Sequence, residues 1–340
     1  MEAVRSVTPV EPAWSVESSR RGLLRGALLA PCAVARCARP VDPSVLRVGH
    51  LFNVTHGAAL AAIESGRLVR ALAPVRVETR AFTAGPAVIE ALLGGAIDLA
   101  YSGPPPVFAA HLRSRGRALA LLAGACSGGA GLVVRAGLRF DGPRSLAHRT
   151  LVTPQLGNTQ DVALRGYLLR HGLAPIERGG TVRVLPLSSS ECFNQFRLGR
   201  VDAAWVAEPT LSRLLAQAGG TLALDERTLW PSGRFATAIL VVRAEYLRHA
   251  RANVARALSI HRDEVSRLSR GEHASRALVA TALARALGRP LPAAVLEGGF
   301  SRCDFTDDPM IDTLLAQGRA SQRLGFLPDE PLPPLRAQPV

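Results

Sequence analysis

Gly95-Ala96-Ile97-Asp98-Leu99-Ala100-Tyr101 recurs downstream as Gly199-Arg200-Val201-Asp202-Ala203-Ala204-Trp205. Both stretches read Gly-x-aliphatic-Asp-x-Ala-aromatic. The glycine suits the C-cap of a helix, where a left-handed backbone strains any residue with a Cβ. The aspartate opens the strand that follows, where its carboxylate can accept neighbouring loop amides. One such unit is a helix running into a strand. Two of them in the same rhythm predict two α/β lobes. The strands deliver Ser102-Gly103-Pro104 and Val206-Ala207-Glu208 at their carboxyl ends, and open parallel sheets bind ligands outside those ends.

Outward from these units, apolar alternation and 3.6-residue periods succeed one another. Strands are expected at 45–49, 74–79, 96–101, 118–125 and 132–135, with helices at 55–66, 86–93 and 104–113. The prolines opening the last helix are harmless in a first turn. The pattern restarts with strands at 149–153, 181–185 and 201–206 and helices at 158–170, 190–198 and 209–218. Strands alternating with helices at this pitch predict parallel sheets. From Arg243 onward the chain reads as helical, and a proline-rich tail over 327–340 is expected to be loose. The organisation expected is a leader over 1–40, a first lobe over 45–130, a second over 131–235, and completion of the first over 236–326.

Composition narrows the function. With 48% hydrophobic and 20% charged residues the chain is a globular one, and no charge-free apolar run reaches the roughly eighteen residues of a membrane span. The formal net charge of +14 raises the question of nucleic acid. Yet all 41 basic residues are arginine, scattered without basic runs, and only 5% of residues are aromatic. No nucleic-acid partner is expected, because a stacking platform needs aromatic residues interleaved with clustered cations. Cys32, Cys37, Cys126, Cys192 and Cys303 show no CxxC spacing, so no metal site is expected. The last three read as small buried apolar residues rather than as a disulfide framework. Ser19-Arg20-Arg21-Gly22-Leu23-Leu24-Arg25, followed by a short apolar run, has the form of a twin-arginine export signal. Lipidation at Cys32 stays open.

The chemistry collects at the predicted strand ends: Asn53, Thr55 and His56; Gly85 and Pro86; Ser102 and Gly103; Ser127 and Gly128; Gln155, Gly157, Asn158 and Thr159; Trp205 and Glu208. Nearly all are small or neutral polar residues standing just before a helix. Backbone N–H groups at a helix start attract anions, helped by the helix dipole. Each residue alone reads equally as an ordinary N-cap; their recurrence at one edge is what suggests a ligand site. His56 is a donor to an anion or a packing residue. Glu208 is either a partner for an amine or hydroxyl or a carboxylate placed at a helix start, and Trp205 either stacks on ligand or fills core. Asp161 leans structural. No nucleophile elbow, P-loop or GxGxxG occurs, and no histidine has a carboxylate placed for a triad. No enzyme activity and no cofactor are expected.

Val48-Gly49-His50-Leu51-Phe52-Asn53-Val54-Thr55-His56, Ala84-Gly85-Pro86 through Ile97-Asp98, Ser102-Gly103-Pro104, Thr153-Pro154-Gln155-Leu156-Gly157-Asn158-Thr159-Gln160-Asp161-Val162-Ala163-Leu164-Arg165, Trp205-Val206-Ala207-Glu208-Pro209 and Asp225-Glu226-Arg227-Thr228-Leu229-Trp230-Pro231 together resemble the nitrate/sulfonate/taurine-type substrate-binding proteins of ABC importers. The resemblance runs from about Val45 to Gly325, is nearest the aliphatic sulfonate-binding subgroup, and has its motifs in order. It implies a type II periplasmic-binding-protein fold: two α/β lobes around a ligand cleft, joined by two crossover strands, with the helical C-terminal third completing the first lobe. It further implies an exported, monomeric receptor that takes a small organic anion or zwitterion to a membrane permease and closes about 127–135 and 234–242. Glu208 would favour a zwitterion such as taurine over bare nitrate. An enzyme of the same fold acting on a pyrimidine precursor or chorismate-like substrate, or a periplasmic sensory module, are the alternatives.

Overall fold

The computed structural model describes residues 41–340; the stretch read as an export signal, with Cys32 and Cys37, lies outside the described residues. The first half contains β1 (Val45–Leu51), α1 (Gly57–Glu64), α2 (Arg67–Leu72), β2 (Arg76–Phe82), α3 (Gly85–Leu93), β3 (Leu99–Ser102), α4 (Pro104–Arg113) and β4 (Leu119–Gly128). Then follow β5 (Ala130–Val134), β6 (Thr150–Thr153), α5 (Thr159–Arg170), β7 (Arg183–Pro186), α6 (Ser189–Arg197), β8 (Ala203–Ala207), α7 (Thr210–Gln217) and β9 (Thr221–Asp225). The last third holds β10 (Ala236–Arg243), α8 (Ala244–His249), α9 (Arg251–Ser269), α10 (His273–Leu287), α11 (Ala293–Arg302), β11 (Cys303–Asp304) and α12 (Ile311–Arg323).

Two sheets result, ordered β11-β4-β10-β3-β1-β2 and β7-β6-β8-β5-β9. Omitting the edge strand β11, the two orders are the same arrangement twice. The sheets are mixed, not purely parallel: β10 runs antiparallel to β3 and β4, and β5 antiparallel to β8 and β9. Each of these strands enters its sheet from the other lobe and so must run against its neighbours. Strand β1 is buried along its whole length, as a strand covered by helices on both faces must be. Its helices supply the first lobe's apolar layers, including α1, α9 and α10 on one side and α3, α4 and α12 on the other. Trp205, Tyr167 and Leu164 anchor one layer of the second lobe, and Phe196, Val206 and Leu214 the other.

The repeated Gly-x-x-Asp unit wires both sheets in the same way. Gly95 and Gly199 sit at φ of 71° and 68°, the left-handed C-cap conformation expected of them. Asp98 Oδ2 accepts the Arg47 backbone N–H at 3.2 Å, and Asp202 Oδ2 accepts that of Thr150 at 2.9 Å. On the other side, an arginine ending the returning strand binds each carboxylate: Arg243 Nη2 reaches Asp98 Oδ1 at 2.9 Å, and Arg135 Nε reaches Asp202 Oδ1 at 3.0 Å. Arg47 Nη1 adds a second guanidinium to Asp98.

The proline-rich tail is docked rather than loose. Leu327 and Leu335 are buried against α4 and β4, Gln338 donates its N–H to the Leu121 carbonyl at 2.9 Å, and Arg251 Nη2 donates to the Pro339 carbonyl at 2.7 Å. Proline has no N–H needing a partner, so an extended proline-rich segment lies along a sheet at little cost while its leucines fill the groove.

The two aspartates differ in burial, which sets their expected worth. The Asp98 side chain is wholly buried, whereas that of Asp202 is 18% exposed. Asp98→Ala leaves Arg47 and Arg243 without their shared counter-charge and is expected to cost about 3–5 kcal/mol. Asp202→Ala is expected to cost about 1 kcal/mol. Denaturant midpoints at pH 7 measure both, and equal losses would refute the ranking by burial.

Candidate functional site

Because β1, β2 and β3 run parallel, as do β6, β7 and β8, their carboxyl ends share one edge of each lobe, and the two edges face each other. The chain after each of these strands turns into a helix, so helix starts collect there. They line an interlobe cavity of about 560 Å³, its open mouth included, within the range of small-molecule sites. Asn53, Thr55 and His56 come from the turn after β1; Thr83, Ala84 and Gly85 from the start of α3; and Gly103 from the start of α4. The second lobe contributes Pro154, Asn158, Thr159 and Gln160 at α5, Ser189 at α6, and Ala207 and Thr210 before and within α7. Thr237, on the returning strand β10, closes the ring.

Among the described residues no aspartate, glutamate or arginine lines the cavity, and its titratable side chain is His56. Burial lowers the pKa of that imidazole to about 3, so the ring is neutral at physiological pH. Its Nδ1 accepts the Leu51 backbone N–H at 3.2 Å, which leaves the ring proton on Nε2. His56 is therefore a neutral Nε2–H donor. The side chains of Asn53, Thr55, Thr83, Thr159 and Thr210 make no hydrogen bond to other described residues. Asn158 is committed as the α5 N-cap: its Oδ1 accepts the Asp161 N–H at 2.8 Å and its Nδ2 donates to Gln160 Oε1. That bond leaves the Gln160 amide nitrogen for the cavity. The start of α4 differs from the others, because Pro104, Pro105 and Pro106 carry no N–H; it offers its dipole without donors.

Asp161 keeps this edge in shape. Fully buried, it accepts the Thr153 hydroxyl at 2.8 Å and the Gly157 N–H at 2.9 Å, and it pairs with Arg165 at 3.0 Å. The Pro-Gln-Leu-Gly-Asn loop is thus folded around an internal carboxylate, the structural role to which its position pointed.

Of the residues singled out from sequence, the structure gathers Asn53, Thr55, His56, Gly85, Gly103, Asn158 and Thr159 in the cavity. Pro86 and Gly157 line an adjacent groove beside α12. The Ser102 side chain is fully buried, and Gln155 does not line the cavity. Ser127 and Gly128 bind the two crossovers to each other: the Ser127 hydroxyl accepts the Phe235 N–H, and the Gly128 carbonyl accepts the Thr237 hydroxyl. Trp205 is a core residue, wholly buried against Tyr167, with its indole N–H donating to Glu226 Oε2 at 2.7 Å. Glu208 also turns away from the cavity. Its oxygens accept the Ser212 N–H at 3.0 Å, the Ser212 hydroxyl at 2.9 Å and Arg302 Nη1 at 3.1 Å. Wholly buried behind these three donors and absent from the cavity lining, the carboxylate is out of reach of a ligand amine, so the sequence-based link from Glu208 to a zwitterion is withdrawn. Thr83, Gln160, Ser189, Thr210 and Thr237 went unnoticed. Thr83, Gln160 and Thr210 stand within two residues of recognised loops and Ser189 just before the helix expected at 190–198, so a wider reading of helix starts would have found them; Thr237 sits mid-strand and carries no such signal. Among the described residues, no group of three or more His, Cys, Asp or Glu is placed to hold a metal ion.

A family model matches residues 39–284 and describes the NMT1-like family. The chain belongs to the NMT1-like family. No curated protein sequence matches it. Among solved structures, this NMT1-like protein is similar to the alkanesulfonate-binding protein SsuA of Xanthomonas axonopodis bound to MOPS, with a TM-score of 0.67 at 21% identity over 84% of this chain and 94% of that one. The periplasmic aliphatic sulphonate-binding protein SsuA of Escherichia coli gives 0.67 at 20% identity, covering 85% and 95%. The periplasmic nitrate-binding protein NrtA of Synechocystis gives 0.71 at 13% identity, covering 84% and 83%. At these identities the likeness establishes the fold, the two-lobed periplasmic-binding-protein one expected from the motifs.

Two outcomes follow from the geometry. A Cβ at Gly103 would overlap Thr159 Oγ1 across the cleft, so Gly103→Ala should push the lobes apart. Small-angle scattering is expected to show a larger radius of gyration, partly restored by adding Thr159→Ala; an unchanged radius would count against close apposition. Glu226 is raised from its ordinary 4.5 to about 7, chiefly by burial. Its stabilising contribution is complete below about pH 4.5 and is lost as pH rises through 7, because the folded state must then ionise a buried carboxyl. Wild type should therefore lose stability relative to Glu226→Gln across pH 5–8, and parallel pH profiles would refute this.

Proposed function

We propose that this NMT1-like protein is the exported receptor of an ABC-type importer, binding a small organic anion, sulfonate-like in its head group, between its lobes. One observation carries the reading: the starts of several helices converge on a cavity that is rich in neutral donors and free of charged side chains. Helix dipoles and N–H groups stabilise an anion there without a counter-ion, and threonine hydroxyls, the Gln160 amide and His56 Nε2–H suit the several oxygens of a sulfonate-type group. The fold supports the reading, since its solved relatives named above are binding proteins for sulfonates and nitrate. The cavity wall, with its single neutral histidine, holds no carboxylate or thiol with which to begin acid–base or covalent chemistry, and this favours a receptor over an enzyme.

In this reading residues 45–130 and 236–326 make one lobe and 131–235 the other. They swing about the crossovers at 127–135 and 234–242, a hinge motion of the kind that closes two-lobed receptors. The ligand is then handed to a membrane permease by a monomeric protein.

The test is thermal unfolding of residues 39–340 against alkyl sulfonates, taurine, nitrate, small carboxylates and pyrimidine precursors. A ligand at 100 times its Kd adds about 2.7 kcal/mol, a shift of several degrees for a chain this size. Alkyl sulfonates are expected to shift the midpoint and Thr159→Ala to reduce the shift. Because His56 is already neutral, affinity should stay flat between pH 5 and 8. Glu208→Gln is expected to leave the ranking of amine-bearing and amine-free sulfonates unchanged. Stabilisation by uncharged pyrimidine precursors alone would overturn the anion reading.

A further inference from the structure

Cys126 and Cys303 stand 177 positions apart in the chain, yet the fold brings them to one sheet edge. Strand β11 pairs antiparallel with the end of β4, Cys303 opposite Gly128 and Asp304 opposite Ser127. Side chains two positions apart on a strand share a face, so Cys126 is the diagonal neighbour of Cys303. Both thiols belong to the same apolar layer, and each is free. The neighbouring Cys126 thiol and burial hold the Cys303 pKa well above the ordinary thiol value, while in the structure the Cys126 thiol donates to the Ser127 carbonyl at 3.3 Å. The site is tight, for a Cβ at residue 129 would lie 2.5 Å from Cys303 Sγ. A sulfur–sulfur bond of about 2.05 Å asks β11 to shift along β4, and β11 is a two-residue strand at the edge of its sheet, where such movement meets least resistance.

We propose that Cys126 and Cys303 are the two halves of a disulfide, formed by exchange with an organic disulfide and tying β11 to the crossover end of β4. The half-buried Cys303 is the entry point and the fully buried Cys126 the resolving group. In the unfolded or partly folded chain, where burial no longer raises its pKa, Cys303 ionises and as thiolate attacks one sulfur of the oxidant, releasing the other as a thiol. Cys126 then attacks Cys303 Sγ in the mixed disulfide and releases the second thiol. Two protein thiols become one disulfide, and the oxidant's disulfide becomes two thiols that carry away both protons. The bond would fix the segment that follows Arg302, the residue whose guanidinium reaches across to Glu208 on the other lobe. The third described cysteine, Cys192, is fully buried in the second lobe's core and has no part in it.

The experiment uses the full chain, unfolded and refolded in a buffer of oxidised and reduced glutathione so that burial does not limit access. Free thiols are then alkylated, and the protein is digested without reductant for mass spectrometry. Expected are a peptide pair joined through Cys126 and Cys303, lighter by two hydrogens than its reduced parts, and an alkylated Cys192. Reduction should lower the melting temperature by several degrees, and a Cys303→Ser chain should show no such dependence on reductant. Both thiols recovered alkylated, a glutathione adduct persisting on Cys303, or either cysteine joined instead to Cys32, Cys37 or Cys192 would each overturn the proposal.

Discussion

The carboxylate of Asp98, wholly buried between the guanidinium groups of Arg47 and Arg243, joins β1, β3 and β10 at one point. Each of those strands would otherwise be free to slide, since an apolar face specifies burial better than it specifies neighbours. A charge in this position permits one register, because any other leaves an ion unpaired in the core. Asp202 does the same for β5, β6 and β8 with a more exposed pair. The two lobes thus have their strand ends set by the same device, and the alignment of those ends is the condition for everything the cleft contains.

Aligned strand ends mean aligned helix starts. The cavity's electrostatics then come from the backbone and from neutral side chains rather than from ions. This division of labour fits a chain whose formal charge is +14, carried wholly by arginine. On the proposed function, the surplus positive field would act at long range to draw anions toward the surface, and the cavity would discriminate at short range by donor geometry. A guanidinium in the cleft would bind any anion strongly. A ring of hydroxyls, amides and one neutral imidazole would favour a group whose oxygens meet them.

The charged residues nearest the cleft have been put to other uses. Glu208 links its own helix start to Arg302 of the first lobe, and its backbone carbonyl accepts the Val54 N–H at 3.1 Å. Glu226 accepts the Trp205 indole N–H. Ser127, Gly128, Phe235 and Thr237 lace the two crossovers together.

Much of this was legible in the chain. The period changes placed most strands and helices to within a few residues. The Gly-x-x-Asp repeat named the C-caps and the carboxylates that hold loop amides, and the small polar loops marked the edge where a ligand would sit. Such features are local: a cap, a turn or a strand face depends on residues a few positions apart. What the sequence left undecided was direction. Nothing within Val206-Ala207-Glu208 says that Glu208 faces Ser212 and Arg302 instead of the cleft, since Arg302 arrives from a helix nearly a hundred residues away. Trp205 is spent on Glu226, Thr237 reaches the cavity on a returning strand, and Cys126 meets Cys303 across a sheet edge for the same reason. The sequence by itself determined the elements and the edge they share; tertiary structure decided which side chains reach that edge, because a polar group turns toward whichever buried partner satisfies it, and those partners come from distant parts of the chain.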